Sequence, residues 1–363
     1  MASVVGVHVV EETLPLGLDL GAQYPRIENL GYVLVGLVDA AGRTGVGWTF
    51  SIDPDEAHRI AEATRARSNL LVGLDPEASD ANWDRLRSAS AGLERGIASP
   101  FASACDVALW DLHGVQCDQP VHRLLGARAE SLATYASDAL WSSLPAHALA
   151  ENAAAFVRAG FDAIKLRTGG SRDPEREVER VEAVRAAVGR EVVVLCDALQ
   201  TWDVPSAIAV GRALADCGIG WLEDPVPEQD LEGLARVRAA LDVDVVSGED
   251  ACWPDGHDAL LARPSVDVLM VDPKWVGGIT PWLRVARSAA ARGIRMVSHI
   301  SPELSAPVLA AAAPAERLEW FGWSFGLYEA GWAPRVEAGR YVLPEGAGFG
   351  LRYRRDLLGR LFP

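Results

Sequence analysis

Seven short stretches decide the fold: FDAIKLR (161–167), EVVVLCD (191–197), GIGWLED (218–224), VDVVSGED (243–250), VDVLMVD (266–272), GIRMVSHI (293–300) and RLEWF (317–321). Each is a brief apolar run closed by a charged or polar residue. Between them lie amphipathic segments such as PEREVERVEAVRAAVG and PSAIAVGRALADCG. Continuous apolar strands separated by helical stretches read as parallel βαβ units, because strands covered on both faces by helices lose the polar alternation of a one-sided sheet. With LATYAS (132–137) as a first strand there are eight, the number that closes a barrel. An open, doubly wound sheet is the competing arrangement.

The stretch before this pattern has another character. SVVGVHVVEETL and GYVLVGLVDAAGRTGVGWTF are β-branched runs, and AAGRTG supplies a hairpin turn. Segments near 55–68 and 78–95 read as helices. In PFASACDVALWDLHGVQ, Ala104, Val107, Ala108, Leu112 and Val115 share one helical face. Strands followed by helices indicate an α+β unit. The expected organisation is an α+β cap over 1–127, a barrel over 128–330, and a C-terminal segment, 331–363, that packs back on the cap.

Composition narrows the function. The 363-residue chain is 49% hydrophobic and 23% charged, as in an ordinary globular protein. Its formal net charge of −16 is spread along the chain and argues against a nucleic-acid partner. Five scattered cysteines without a C-x-x-C pair fit reduced thiols in the cytoplasm. The start, MASVVGVHVVEETLPLG, meets Glu11 and Glu12 before an apolar core could form, so no secretory signal is expected. No apolar run is long enough for a membrane span.

In a parallel barrel the C-terminal strand ends open on one face. Asp197, Glu223 and Glu249 hold such positions at a constant interval of 26 residues. Any one of them alone reads as a loop acid or a helix cap. Three together repel one another unless a cation sits among them, and an oxygen-only set favours Mg²⁺ over zinc. Lys165 and Arg167, two apart on the preceding strand, both face the mouth, although K-x-R by itself is usually a solvated pair. Asp272 and His299 end neighbouring strands. A carboxylate on one imidazole nitrogen fixes the tautomer that leaves the other free as a general base. Glu319 completes the ring, or is a buried structural acid.

Together these motifs resemble the mandelate racemase/muconate lactonizing enzyme group of the enolase superfamily. DVALWDLHGVQCDQPVHRLLG is similar to the last helix of that family's cap. FDAIKLR resembles its K-x-K strand, WLEDP and SGED its second and third ligand strands, and DPKWVGGITPWLRVA and GIRMVSHISPELSAPVLAAA the strands of its Asp–His dyad. The resemblance implies a (β/α)7β barrel under a cap completed by the C-terminal segment. It implies Mg²⁺ on Asp197, Glu223 and Glu249, with Lys165 and Ser137 on the substrate carboxylate. His299 would be the base, Asp272 its partner, and Glu319 an acid hydrogen-bonded to the developing enediolate.

Two departures stand out. Arg167 occupies the position where members that work on both faces of the α-carbon carry a second lysine, and Leu199 stands where many carry asparagine. A guanidinium holds its proton, so a one-base reaction is expected: dehydration of a hydroxy carboxylate such as a sugar acid to a 2-keto acid. Racemisation or epimerisation of a 2-hydroxy acid is the alternative, and a catalytically silent ligand-binding barrel the second. A homo-oligomer is expected. Specificity is expected from cap loops near 17–30 and 48–53.

Overall fold

Period-two strands joined by a tight turn pair with their neighbours, and the N-terminal stretch does so. The computed structural model describes residues 2–21, 26–312 and 315–363. In it β1 (Val4–Leu18), β2 (Ile27–Asp39) and β3 (Thr44–Ser51) form an antiparallel sheet in that order. Asp39 shapes the second turn by accepting from the backbone N–H groups of Ala41 and Arg43 at 2.8 and 3.0 Å. Helices α1 (Pro54–Arg67), α2 (Ser79–Ala89), α3 (Arg95–Cys117) and α4 (Val121–Leu124) follow. The helix read over 78–95 stops at Ala89. The Ser90 hydroxyl donates back to Leu86 O at 2.9 Å, and Gly92 turns the chain at φ +81°. α3 lies so close on β3 that a Cβ at Gly47 would stand 2.2 Å from Ala104 O, which is why that strand position has no side chain.

The barrel then alternates strand and helix. It runs through β4 (Ser131–Ala136), α5 (Ala146–Arg158), β5 (Ala163–Arg167), α6 (Pro174–Val188), β6 (Val193–Asp197), α7 (Val204–Asp216), β7 (Trp221–Glu223) and α8 (Leu231–Ala240). It continues through β8 (Asp244–Ser247), α9 (Trp253–Leu261), β9 (Val268–Val271), the one-turn α10 (Pro273–Val276), α11 (Ile279–Ala290), β10 (Arg295–Ser298), α12 (Pro302–Ala311) and β11 (Leu318–Trp320). Neighbouring strands from β4 to β10 are parallel, and β11 returns to pair in parallel with β4. The Glu316 N–H donates to Met296 O at 2.8 Å between β10 and β11. This closure excludes the open doubly wound sheet, and seven strand–helix units followed by a strand make a (β/α)7β barrel. Tyr135, Leu195, Trp221, Val246, Met270 and Val297 fill its interior with apolar side chains below the mouth.

Helix α3 ties cap to barrel. Buried Asp106 accepts from the Thr280 N–H at 2.9 Å and its hydroxyl at 2.7 Å. The C-terminal segment serves both parts. β12 (Val336–Glu337) and β13 (Arg340–Val342) form a hairpin whose second strand pairs antiparallel with β4. Then α13 (Arg355–Leu361) reaches the cap sheet, where a Cβ on Gly36 would meet the Leu361 side chain at 2.6 Å.

Candidate active site

Strand alternation decides which side chains enter the mouth. On β5, Ala163, Lys165 and Arg167 share the interior face; on β6, Leu195 and Asp197 do; on β7, Trp221 and Glu223. β9 and β10 carry Met270 and Val297 inward, and two residues later Asp272 and His299. β8 breaks the parity: Glu249 is three residues beyond interior Val246. Gly248, at φ +124°, redirects the chain, and a Cβ there would stand 2.6 Å from Met270 O. Only glycine takes that conformation in that space.

The structure places the sequence-derived residues in two layers. Lys165, Glu223, Glu319 and Ser137 lie beneath, fully buried. The Lys165 ammonium donates to Glu223 Oε1, stands 2.8 Å from Glu319 Oε1 and 3.9 Å from Asp197 Oδ2. It also sits 5.5 Å from the Tyr135 ring centroid. Glu319 accepts from the Ser137 hydroxyl at 2.6 Å and from the Ile300 N–H at 2.7 Å. Above them Arg167, Asp197, Glu249, Asp272 and His299 line an open cavity of about 280 Å³. Arg167 is held between Trp141 and Phe321, its guanidinium carbon 4.5 and 5.5 Å from their centroids, and donates to Ser137 O. His299 pairs Nδ1 with Asp272 Oδ2 at 2.9 Å and turns Nε2 to Glu249 Oε2 at 3.2 Å.

Burial and charge set the protonation states. Burial pushes Glu223 up to about 8, against the pull of Lys165 and with the repulsion of Asp197 and Glu249. Glu249 is pushed up to about 7 by burial, His299 opposing. Burial works against charge on Lys165 and His299 too. The surrounding carboxylates outweigh it, holding Lys165 above its usual value and His299 up to about 10. At Glu319 the Lys165, His299 and Arg167 charges overcome burial and take the carboxyl down to about 2. Glu319 thus meets the Lys165 ammonium as an ion pair and fixes it below the mouth.

Among the described residues, no three acids or histidines are closed around one point. Lys165 and His299 compensate the acids instead. The residues nonetheless fit Mg²⁺ in kind. Asp197, Glu223 and Glu249 offer oxygen alone, and two of them are raised by burial because the protein under-compensates their charge. These three would hold the ion, with the Glu223–Lys165 and Glu249–His299 contacts giving way.

Sequence reading missed part of the wall. Lys274 and Trp275, just past Asp272, line the cavity with Phe50, Glu56, Trp141 and Trp323. The signal for Lys274 was its place two residues after a strand-end acid. The cap contributes Leu20 and Ser51–Ile52 as well, from the loops expected to confer specificity; residues 22–25 of the first loop lie outside the described residues.

The family model for the mandelate racemase/muconate lactonizing enzyme N-terminal domain matches residues 4–126, and one described as enolase C-terminal domain-like matches 148–357. L-talarate/galactarate dehydratase of Salmonella typhimurium is 32% identical over 305 residues, covering 84% of this chain and 76% of its own. A 3,6-anhydro-alpha-L-galactonate cycloisomerase of Streptomyces coelicolor is 31% identical over 335 residues, 91% of each chain. The crystal structure of L-talarate dehydratase from Polaromonas sp. JS666, complexed with Mg and L-glucarate, superposes with a TM-score of 0.91 at 28% identity, over 100% of this chain and 98% of that one. Dehydratases, cycloisomerases, epimerases and racemases stand among the relatives, and several of the similar structures hold magnesium. The barrel, its cap and the strand-end charges have the same explanation: this chain belongs to the mandelate racemase/muconate lactonizing enzyme family of the enolase superfamily.

Proposed function

We propose that the protein is a Mg²⁺-dependent hydro-lyase that removes the α-proton of a hydroxy carboxylate, a sugar acid or near relative, and expels the neighbouring hydroxyl to give a 2-keto acid. One observation carries the choice among the family's reactions. Arg167, the residue across the mouth from His299, is a guanidinium fixed between Trp141 and Phe321, and it retains its proton. A racemase needs a second base on that face. Here a permanent cation stands there, and the α-carbon has one base.

The residues divide the work. Asp272 holds Nδ1–H of His299 and leaves Nε2 to take the α-proton. Arg167 offers fixed positive charge to the carboxylate that becomes an enediolate, and Lys165, fixed by Glu319, supports it from below. Bound Mg²⁺ supplies Lewis-acid polarisation of the substrate carboxylate. The aromatic side chains of Phe50, Trp141, Phe321 and Trp323 line the cavity and limit water there.

The test is a library of hydroxy carboxylates incubated with enzyme and Mg²⁺, following 2-keto acid and optical configuration together. Keto acid that disappears with chelation supports the reading. Rapid racemisation without elimination overturns it and places a second base elsewhere. A cytoplasmic location is part of the proposal, supported by Cys105, Cys196, Cys217 and Cys252, which stand as free thiols. A homo-oligomer is supported by exposed Val5 and Val72 at one cap edge, where the Gly73 N–H bonds Val4 O; light scattering decides it.

A further inference from the structure

We infer that Lys274 is a catalytic acid that protonates the departing hydroxyl on the same side of the substrate from which His299 removes the α-proton. The inference rests on the dehydration reading and gives that reading a proton donor other than the protonated His299.

Elimination of water needs a proton at the leaving oxygen. The donors among the described lining residues are few. Arg167 keeps its proton. The Ser51 hydroxyl is committed to Glu56 Oε2 at 2.6 Å. Lys165 and Ser137 lie below the cavity, bonded to Glu223 and Glu319, and Glu319 is itself an ion-paired carboxylate. Lys274 remains. It lines the cavity, and among the described residues no carboxylate closes an ion pair with its ammonium. The aromatic rings of Trp275 and Phe50 hold it instead, with centroids 4.2 and 5.1 Å from Nζ.

Position makes the pairing specific. Asp272 accepts from His299 Nδ1 through Oδ2 at 2.9 Å and from the Lys274 N–H through Oδ1 at 2.7 Å, so one carboxylate fixes both base and acid. β9 and β10 are neighbours, whereas β5, which carries Arg167, is four strands from β9 and thus across the ring. Base and acid therefore approach from one side, and the elimination is syn. Burial draws the Lys274 amine below its usual value, helped by Arg95, while Asp272, Glu56 and Asp250 pull the other way; burial wins, which favours proton release.

The step balances as follows. His299 Nε2 takes the α-proton, and the C–H pair passes through the enediolate into the new C=C bond. The C–O bond of the β-hydroxyl breaks with its pair on oxygen, which takes a proton from Nζ and leaves as water. The enol tautomerises to the 2-keto acid. His299 returns its proton to solvent, and neutral Lys274 regains one.

Lys274→Met keeps the apolar stem against Trp275; Lys274→Arg keeps the charge but not the transferable proton. Both are assayed with Mg²⁺ for α-proton exchange in D₂O, for keto acid from the best hydroxy acid, and for keto acid from its β-chloro analogue, whose chloride leaves without a proton. Exchange and chloride elimination should stay within about threefold of wild type in both variants, while kcat for water loss falls ~10²–10⁴-fold at little-changed KM. Water loss retained in Lys274→Met would make His299 the donor and overturn the inference alone. Recovery by Lys274→Arg, or equal loss for both leaving groups, would reduce Lys274 to a positioning charge. Wild-type enzyme that exchanges the α-proton but never loses water would remove the dehydration reading, and this inference with it.

Discussion

Asp272→Asn changes one atom of the site and should nearly silence it. Asp272 is buried and accepts twice, from the Lys274 N–H at 2.7 Å and from His299 Nδ1 at 2.9 Å. Asparagine has one acceptor and one donor group. The backbone N–H cannot reverse, so the amide oxygen keeps the Lys274 contact, and asparagine caps as well as aspartate. The amide NH₂ then faces Nδ1 and forces the imidazole tautomer that carries its proton on Nε2, the nitrogen needed as base. Losing the charge-assisted bond costs about 1.5–3 kcal/mol, or roughly 10–150-fold in rate at 1.36 kcal/mol per decade. Misplacing the proton removes the base contribution as well, so the expected loss is ~10²–10⁴-fold in α-proton exchange and in kcat. Exchange is read by NMR in D₂O with saturating Mg²⁺, and Mg²⁺ affinity by calorimetry should be nearly unchanged, since Asp197, Glu223 and Glu249 are intact. Exchange within about fivefold of wild type would refute the tautomer argument, because no orientation of the amide accepts from both the Lys274 N–H and the His299 Nδ1–H.

Three further outcomes are expected. Glu303 is buried with Ser324 donating to Oε1, and burial pushes its carboxyl up to about 7; a raised carboxyl stabilises fully below its unfolded value and loses that contribution as pH rises through 7. Glu303→Gln should therefore raise the melting temperature at pH 8 but not at pH 4, with ~3 kcal/mol as the ceiling; an equal shift at both values would remove the titration argument. Gly248→Ala puts a Cβ at φ +124° and 2.6 Å from Met270 O, so it should destabilise by about 1–3 kcal/mol and weaken Mg²⁺ binding through displaced Glu249, both read by calorimetry. Lys165→Met leaves Glu223, Glu319 and Asp197 buried without their cation and should cost about 3–5 kcal/mol in EDTA; Mg²⁺ should restore more of the melting temperature than it adds to wild type, and an unequal effect in the other direction would contradict the placement.

The strand ends were legible because two periodicities agree on them. A continuous apolar run says that a strand is covered on both faces, and the period of two then fixes which of its last residues turn inward, which is how Lys165, Arg167, Asp197, Glu223, Asp272 and His299 could be read without coordinates. Glu249 was legible only through its spacing, since Gly248 breaks the parity that strand geometry would have applied. Lys274 escaped because it stands on the one-turn helix α10 beyond the strand, where the period of two has ended. Phe50 falls in the cap stretch 48–53 expected to confer specificity, but Trp141 and Phe321 come from the loops after β4 and β11, and no local pattern reports that such distant segments meet. The position of Glu319 was legible, but its charge depends on Lys165, Arg167 and His299 together, and that sum exists only in the folded barrel.

That same sum bears on the metal. With His299 against Glu249 and protonated there, Asp197, Glu223, Glu249, Asp272 and Glu319 are five carboxylates facing three cations, Lys165, Arg167 and His299, so the inner site is two positive charges short. Mg²⁺ on Glu249 would free His299 to lose that proton and act as base. Buried Asp224 adds little to the deficit, because burial and the nearby Glu249 hold it toward its neutral form. The shortfall falls on Glu223 and Glu249, pushed up to about 8 and about 7, both in the all-oxygen set that Mg²⁺ would use. A divalent ion balances this layer, whereas a monovalent one leaves a carboxylate uncompensated in a medium where that is costly. A carboxylate substrate then adds one negative charge to a balanced site. The fixed cation that faces it is Arg167, so substrate affinity should weaken with salt far less in Arg167→Met than in wild type. Equal salt dependence in the two proteins would separate Arg167 from substrate charge altogether.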